Sequence, residues 1–189
     1  MVSAEDVIHI VRTLTKNGLQ FWLVGGWGID ALLGTHTRPH KDLDLIMLVD
    51  DVARMCAFLM DEGFELKEIW SENLWTKDRQ GRQILTAFVL KDAVGRELDF
   101  HALRLDELEN GIPAWEVEEG FTFTNEELSG KGAVAGISVK CITAEKQMLC
   151  HTGYPLPEKQ VPDLEQLHVK FGVHFPEGYS LLGLVARTD

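Results

Sequence analysis

Three acids in this sequence are spaced to do chemistry. Asp42 and Asp44 open the apolar stretch "DLDLIMLV", and Asp99 lies within "RELDFHAL". Side chains on a strand alternate between faces, so Asp42 and Asp44 point one way while Leu43, Leu45 and Met47 point the other. Two carboxylates held close together each disfavour ionisation of the other. A divalent cation removes that penalty, and Mg²⁺ takes oxygen ligands, commonly a carboxylate or two plus phosphate. On the second stretch Leu98 and Phe100 face one side, Asp99 and His101 the other. If the two strands are neighbours, Asp99 joins the pair and completes a two-metal clamp. The plain alternative for D-x-D alone is a solvated strand edge.

Such acids need elements to position them. Ahead of them, "QFWLV" (20–24) reads as a short buried strand, followed by "GGWGIDALLG". Gly25 and Gly26 let the backbone turn sharply, and a short helix is expected from Trp27 to Leu33, closed by Gly34. Backbone N–H groups at such a turn can hold phosphate oxygens, aided by the helix dipole. A glycine pair alone is a weak signal, because tight strand-to-helix turns need glycine anyway. The order strand, glycine turn, helix, polar loop, D-x-D is a stronger one.

The remaining elements follow from periodicity and caps. Ser3 begins a helix, with Asp6 in the place of the usual capping-box Glu, and Gly18 stops it. Asp50 is expected to cap a helix running to Gly63. Strands are expected at 64–69, 74–78, 83–90 and 97–103. Residues 106–127 read as loop with short extended pieces; eight of these 22 residues are acidic and none is Lys or Arg. A strand "ISVKCIT", a helix capped by Thr143 and a second helix "VPDLEQLHVKFG" follow. The fold class expected is α/β (α+β), a mixed sheet flanked by helices. Its expected organisation is a core over 1–133 and a C-terminal strand and helical cap over 134–189.

Composition narrows the partners. Thirty acids against 18 Lys and Arg give a formal charge of −12, a surface that repels phosphate backbones. No nucleic-acid partner is expected, and cations suit the surface better. No apolar run approaches the roughly 18 residues of a membrane span, and the N-terminus has no signal-peptide pattern, so no membrane partner is expected. Cys56, Cys141 and Cys150 form no CxxC pair and read as small hydrophobes of a cytoplasmic protein. His36 and His40 are spaced i, i+4, but Pro39 lies between them, so a zinc pair on one helix face is not expected. Adjacent Cys150 and His151 point about 100° apart on a helix and do not read as an activated thiol. Cys150 is expected to be buried and His151 to pack with Tyr154.

The stretch "WLVGGWGIDALLGTHTRPHKDLDL" resembles the signature of the DNA polymerase β-type nucleotidyltransferase superfamily. It is especially similar to the small antibiotic nucleotidyltransferases that modify lincosamides, and to their aminoglycoside-modifying relatives. "LDFHAL" sits where that family has its third carboxylate. "GISVKCITAEKQMLCHTGYPLPEKQVPDLEQL" resembles its C-terminal block. The resemblance covers residue 5 to about residue 170 and is poor over 104–133, where acceptor choice is expected to lie.

The resemblance implies a polymerase β-like fold. It also implies transfer of a nucleoside monophosphate from an NTP to a hydroxyl of a small antibiotic, with release of pyrophosphate. Asp42, Asp44 and Asp99 would hold two Mg²⁺ ions, with Asp99 near the acceptor hydroxyl as general base. Gly25 and Gly26 would bind phosphate. Arg38 is the first candidate for a phosphate fork and Lys159 a weaker one; Arg38 can equally pair with a surface acid. His40 can position a phosphate or stay a solvated loop residue. His101 can orient Asp99 or fill space at the sheet edge. Trp27 can stack on a base or plug the core, and the core is commoner. Glu107, Glu116, Glu118 or Glu119 would attract an amine-bearing acceptor, with Trp115 as an apolar wall; a solvated loop is the plainer reading. Similar enzymes are often dimers, so a homodimer is an expected partner state. Two alternatives stand beside this reading: the same fold acting on a protein or RNA acceptor, and a non-catalytic nucleotide-binding module.

Overall fold

A computed structural model describes residues 1–151 and 157–175. Helix α1 (Ala4–Lys16) starts as expected: the Ser3 hydroxyl accepts the Asp6 N–H, and the Asp6 carboxylate accepts the Ser3 N–H. Strand β1 (Phe21–Val24) runs straight into α2 (Gly25–Leu33), which ends on left-handed Gly34. The glycine pair is therefore the first turn of α2, which begins two residues earlier than expected. Strand β2 (Asp42–Leu48) leads into α3 (Val49–Asp61). Leu48, not Asp50, occupies the cap position of α3; Asp50 sits in its first turn and accepts the Arg79 N–H.

The next strands are β3 (Phe64–Ile69), β4 (Thr76–Lys77), β5 (Gln83–Ile84), β6 (Ala87–Asp92) and β7 (Glu97–Leu105). The single strand expected at 83–90 is thus two, broken at buried Thr86, whose N–H and hydroxyl bond to the Asn73–Leu74 segment. Strand β8 (Gly111–Pro113) and a one-turn helix at 127–129 are the ordered pieces of the acidic stretch. A hairpin of β9 (Lys131–Val134) and β10 (Ile137–Lys140) precedes α4 (Ala144–Leu149) and α5 (Val161–Phe171). The boundary expected at 133/134 falls inside this hairpin. Thr143 caps α4 as expected, its hydroxyl accepting the Lys146 N–H.

The main sheet is mixed, in the order β1-β2-β7-β6-β3, with β8 paired to β7. Strands β2 and β7 pair parallel and the other strand pairings are antiparallel, while Leu23 of β1 also makes a single parallel bridge to Cys141. One face carries Leu43, Leu45, Met47, Leu98 and Phe100, buried against α1 (Val7, Ile10, Leu14) and α3 (Val52, Met55, Leu59). Each such side chain contributes roughly 1.5–3 kcal/mol on burial, which is what fixes the faces of the strands. The opposite face, where Asp42, Asp44 and Asp99 point, is only partly covered. There a smaller cluster of Trp22, Ile46, Leu103, Phe123, Leu128 and Ile142 packs beside the acids. Helices α4 and α5 close against α2 through Ile29, Ala144, Met148, Leu164 and Leu167. Among the described residues no helix is long and apolar enough to cross a membrane.

Candidate active site

The parallel register of β2 on β7 sets Asp44 opposite Asp99 and Asp42 opposite Glu97. Asp42, Asp44 and Asp99 lie on the sheet face away from the main core. Burial pushes the Asp44 carboxyl well above the usual range, and the charges of Asp42 and Asp99 push it further, while Arg38 opposes them. Burial also raises Asp99; His101 and Trp70 pull it down, Asp42 and Glu72 push it up. Among the described residues no Lys or Arg forms an ion pair with any of the three. The raised carboxyls of Asp44 and Asp99, with Asp42 beside them, are a donor set suited to a hard divalent cation.

The glycine turn closes onto these acids. Gly25 has φ +58°, and a Cβ there would collide with the Asp44 carboxylate. A Cβ on Gly26 would collide with the His40 ring. Both positions therefore require glycine on close approach, and Gly25 also for its left-handed backbone. The first N–H groups of α2 have no side-chain cap, and the helix N-terminus lies beside the acids.

Asp99 is held by two neighbours. The Trp70 indole N–H, from the end of β3, donates to both carboxylate oxygens at 3.0 and 3.1 Å. His101 Nδ1 lies 3.4 Å from Asp99 Oδ1, and its Nε2 lies 3.5 Å from Glu72. The imidazole thus bridges Asp99 and Glu72, and Trp115 meets its ring edge-on at 5.0 Å. Of the two roles open to His101, the orienting one fits this geometry.

An open cavity of about 590 Å³ spreads from these residues. Gly25, Asp44 and Asp99 line it, and Asp42 does not. Trp115, Phe121 and Phe123 make one wall, with Glu72 and Glu118 at its edge, and His151 and Gln160 lie on the C-terminal side. Phe121 and Phe123 pack edge to face, and buried Lys146 sits over both rings while donating to the Thr122 carbonyl. The aromatic wall is therefore anchored from behind.

A sequence profile of the aminoglycoside-2''-adenylyltransferase family matches residues 6–167. This chain belongs to that family. Among curated relatives of the family member described here, a lincosamide resistance protein of Staphylococcus haemolyticus is 26% identical over 167 residues, covering 88% of this chain and 94% of that protein. A 2''-aminoglycoside nucleotidyltransferase of Klebsiella pneumoniae is 27% identical over 143 residues, covering 71% of this chain and 65% of that longer protein. Among solved structures, the lincosamide antibiotic adenylyltransferase LnuA with lincomycin bound superposes with a TM-score of 0.72 at 26% identity, covering 88% of this chain and 96% of that one. The nucleotidyltransferase ANT(2'')-Ia with adenylyl-2''-tobramycin shares the fold, with a TM-score of 0.66 at 20% identity over 89% of each chain. The fold class expected from the sequence is the fold of these nucleotidyltransferases.

Within this family member, several expected site residues take other positions. Arg38 does not pair with a surface acid: its Nε and Nη2 donate to buried Asp163 at 2.9 and 2.7 Å, so one edge of the fork is already used. Its charge still reaches Asp44. His40 is neither solvated nor open to the cavity; its Nε2 lies 2.7 Å from Asp30 Oδ2 beneath Gly26. Its removal from solvent corrects the solvated reading offered for it. Trp27 is buried in the main core and does not face the cavity.

Lys159 is exposed on the one-turn helix 158–160, and the cavity takes its neighbour Gln160 instead. Glu107 lies in the exposed turn between β7 and β8, and Glu116 is exposed with its N–H given to the Glu72 carbonyl; neither lines the cavity. Glu118 does, and so does Glu72, which the sequence reading passed over. Trp70, Glu72 and Asp163 carry no local signal, because their importance comes from partners 29 to 125 residues away. Cys150 is mostly buried, its thiol pushed up to about 12, which agrees with an unreactive role. His151 is buried with Nδ1 2.8 Å from the Gln147 carbonyl; its expected partner Tyr154 lies outside the described residues.

Proposed function

We propose that the chain transfers a nucleoside monophosphate from an NTP, ATP first, to a hydroxyl of a small amine-bearing antibiotic, releasing pyrophosphate. The observation that carries this is the in-register Asp44–Asp99 pair beneath a glycine-opened helix N-terminus, facing a cavity with an aromatic wall. Asp42, Asp44 and Asp99 would hold Mg²⁺, two ions in the fullest form. When bound, the metal neutralises triphosphate charge and lowers the pKa of the acceptor hydroxyl.

The chain's own groups do the rest. The N–H groups of Gly25 and Gly26 cradle phosphate oxygens, and the α2 dipole favours their charge. Arg38, braced by Asp163, adds positive potential beside Asp44. Asp99 takes the proton from the acceptor hydroxyl as that oxygen attacks the α-phosphorus in line with the departing pyrophosphate. The Trp70 N–H and His101 keep the Asp99 carboxylate in one orientation for that transfer. The acceptor's apolar part lies against Trp115, Phe121 and Phe123, and its ammonium group is drawn by Glu72 and Glu118.

A lincosamide is the first candidate acceptor, because the LnuA and S. haemolyticus matches span nearly the whole of both partners. An aminoglycoside is the second. Mass spectrometry of a panel of both after incubation with mixed NTPs and Mg²⁺ tests the proposal; a mass gain of one nucleoside monophosphate on any panel compound is the expected result. Binding of NTP with no transfer to any of them would point to the non-catalytic module. The work is placed in the cytoplasm, where NTP is supplied, and light scattering tests the homodimer. Glu118→Gln together with Glu72→Gln is expected to raise the acceptor KM about tenfold while the NTP KM stays nearly unchanged, as for loss of a charged contact. An acceptor KM equal to wild type removes these acids from recognition.

A further inference from the structure

A second cluster of donor atoms lies away from the cavity, on the other side of the glycine turn. The loop 35–41 folds back on α2, so that His36 and His40 both meet Asp30. The three donor atoms lie within 4.8 Å of one another. His40 Nε2 is 2.7 Å from Asp30 Oδ2, with both side chains buried, and His36 Nε2 is 4.0 Å from the same oxygen with its side chain 47% exposed. The spacing argument against a zinc pair applied to a helix; the loop brings the histidines together by another route.

We propose that Asp30, His36 and His40 form a Zn²⁺ site distinct from the oxygen-lined one at Asp42, Asp44 and Asp99. Two imidazoles and one carboxylate, with a fourth position left for water, are a common ligand set for this ion. Nitrogen donors favour Zn²⁺, whereas three carboxylates favour Mg²⁺, so ligand chemistry separates the two sites. The supports for the ligands are already built. The Thr37 hydroxyl and N–H donate to Asp30 Oδ1 at 2.6 and 3.2 Å, which turns Oδ2 toward the histidines. Trp27 stacks on the His36 ring at 4.9 Å and 17°, and tilts against His40. Tetrahedral bonds of about 2.0 Å require donors about 3.3 Å apart. The Asp30–His40 contact must open slightly, and the half-exposed His36 must close by a similar amount on Asp30 and from as much as 4.8 Å on His40. An exposed third ligand also gives the ion its way in.

The bland alternative is an Asp30–His40 hydrogen bond that docks the loop, with His36 merely resting on Trp27. His36→Gln separates the two, since it leaves that bond intact. Chelator-stripped full-length chain is titrated with Zn²⁺ alone by calorimetry in excess Mg²⁺, which occupies the oxygen site. One Zn²⁺ per chain is expected, with a raised Tm. Asp44→Asn keeps this stoichiometry. His36→Gln weakens binding by about tenfold or more, on the scale of lost ligand support. Co²⁺ alone is expected to give visible d–d absorption in the wild type and not in His36→Gln. Zn²⁺ affinity unchanged in His36→Gln, loss of all Zn²⁺ binding in Asp44→Asn, or no binding in the wild type would each overturn the site.

Discussion

Glu97 and Asp99 stand two residues apart on one face of β7, yet their surroundings are opposite. Burial works against the Glu97 charge, but hydrogen bonds from Lys41 and Lys67 outweigh it, and Lys91 adds to them, holding the carboxyl down at about 2. The three ammonium groups lie 2.9, 3.0 and 3.4 Å away. Asp99 has no such partner, and burial leaves its carboxyl raised. Across the ladder Asp42 pairs in register with Glu97, and Asp44 with Asp99. The protein neutralises Glu97 itself, while among the described residues Asp42, Asp44 and Asp99 have no Lys or Arg ion pair and are left for something that arrives. Uncompensated charge, held in place by Trp70 and His101, is what marks the site off from an ordinary acidic surface.

The contrast is sharpest in kinetics. Asp99→Asn is expected to lower kcat by roughly 10³-fold, the scale of a lost general base. Its Tm should stay level or rise, because a raised carboxyl is replaced by a neutral amide of the same shape. A variant with kcat near wild type would break the comparison at its functional end.

At the other end the effect falls on stability. Glu97→Gln is expected to cost about 1–2 kcal/mol at neutral pH, a figure reduced because the lysines are part-exposed. The folded pKa of Glu97 lies below its unfolded value of 4.5. Its stabilisation is therefore present above about pH 4.5 and lost as pH falls toward about 2. Chemical denaturation across that window checks this: the gap between wild type and variant should close on acidification. A gap that grows on acidification would reverse the assignment.

The smallest effect concerns orientation. Trp70→Phe keeps the ring's volume but removes the N–H shared by the two Asp99 oxygens. A kcat about tenfold lower, with the NTP KM little changed, is the outcome expected of a lost hydrogen bond to a charged group. Equal loss in both parameters would assign Trp70 to packing alone.

Some of this was written in the chain locally. Alternation along a strand follows from covalent geometry, so Asp42, Asp44 and Asp99 were bound to share their faces as soon as those stretches became strands. The Ser3 and Thr143 caps are equally local, each resting on bonds that span a few residues. The expected cap of α3 is not formed: Leu48 occupies the N-cap position without a side-chain bond, and Asp50, in the first turn, accepts the Arg79 N–H instead.

Only the tertiary structure decided which acids meet. The parallel register of β2 on β7 is set by the summed burial of residues from α1, α3 and the whole sheet, and a slip of one residue would turn Asp99 into the core. The same long-range packing delivers Trp70 to Asp99, Asp163 to Arg38 and the His36–His40 loop to Asp30. Pairing across such distances costs chain entropy that only a completed core offsets. No window of sequence contains that balance, which is why residue types and faces were legible while partners were not.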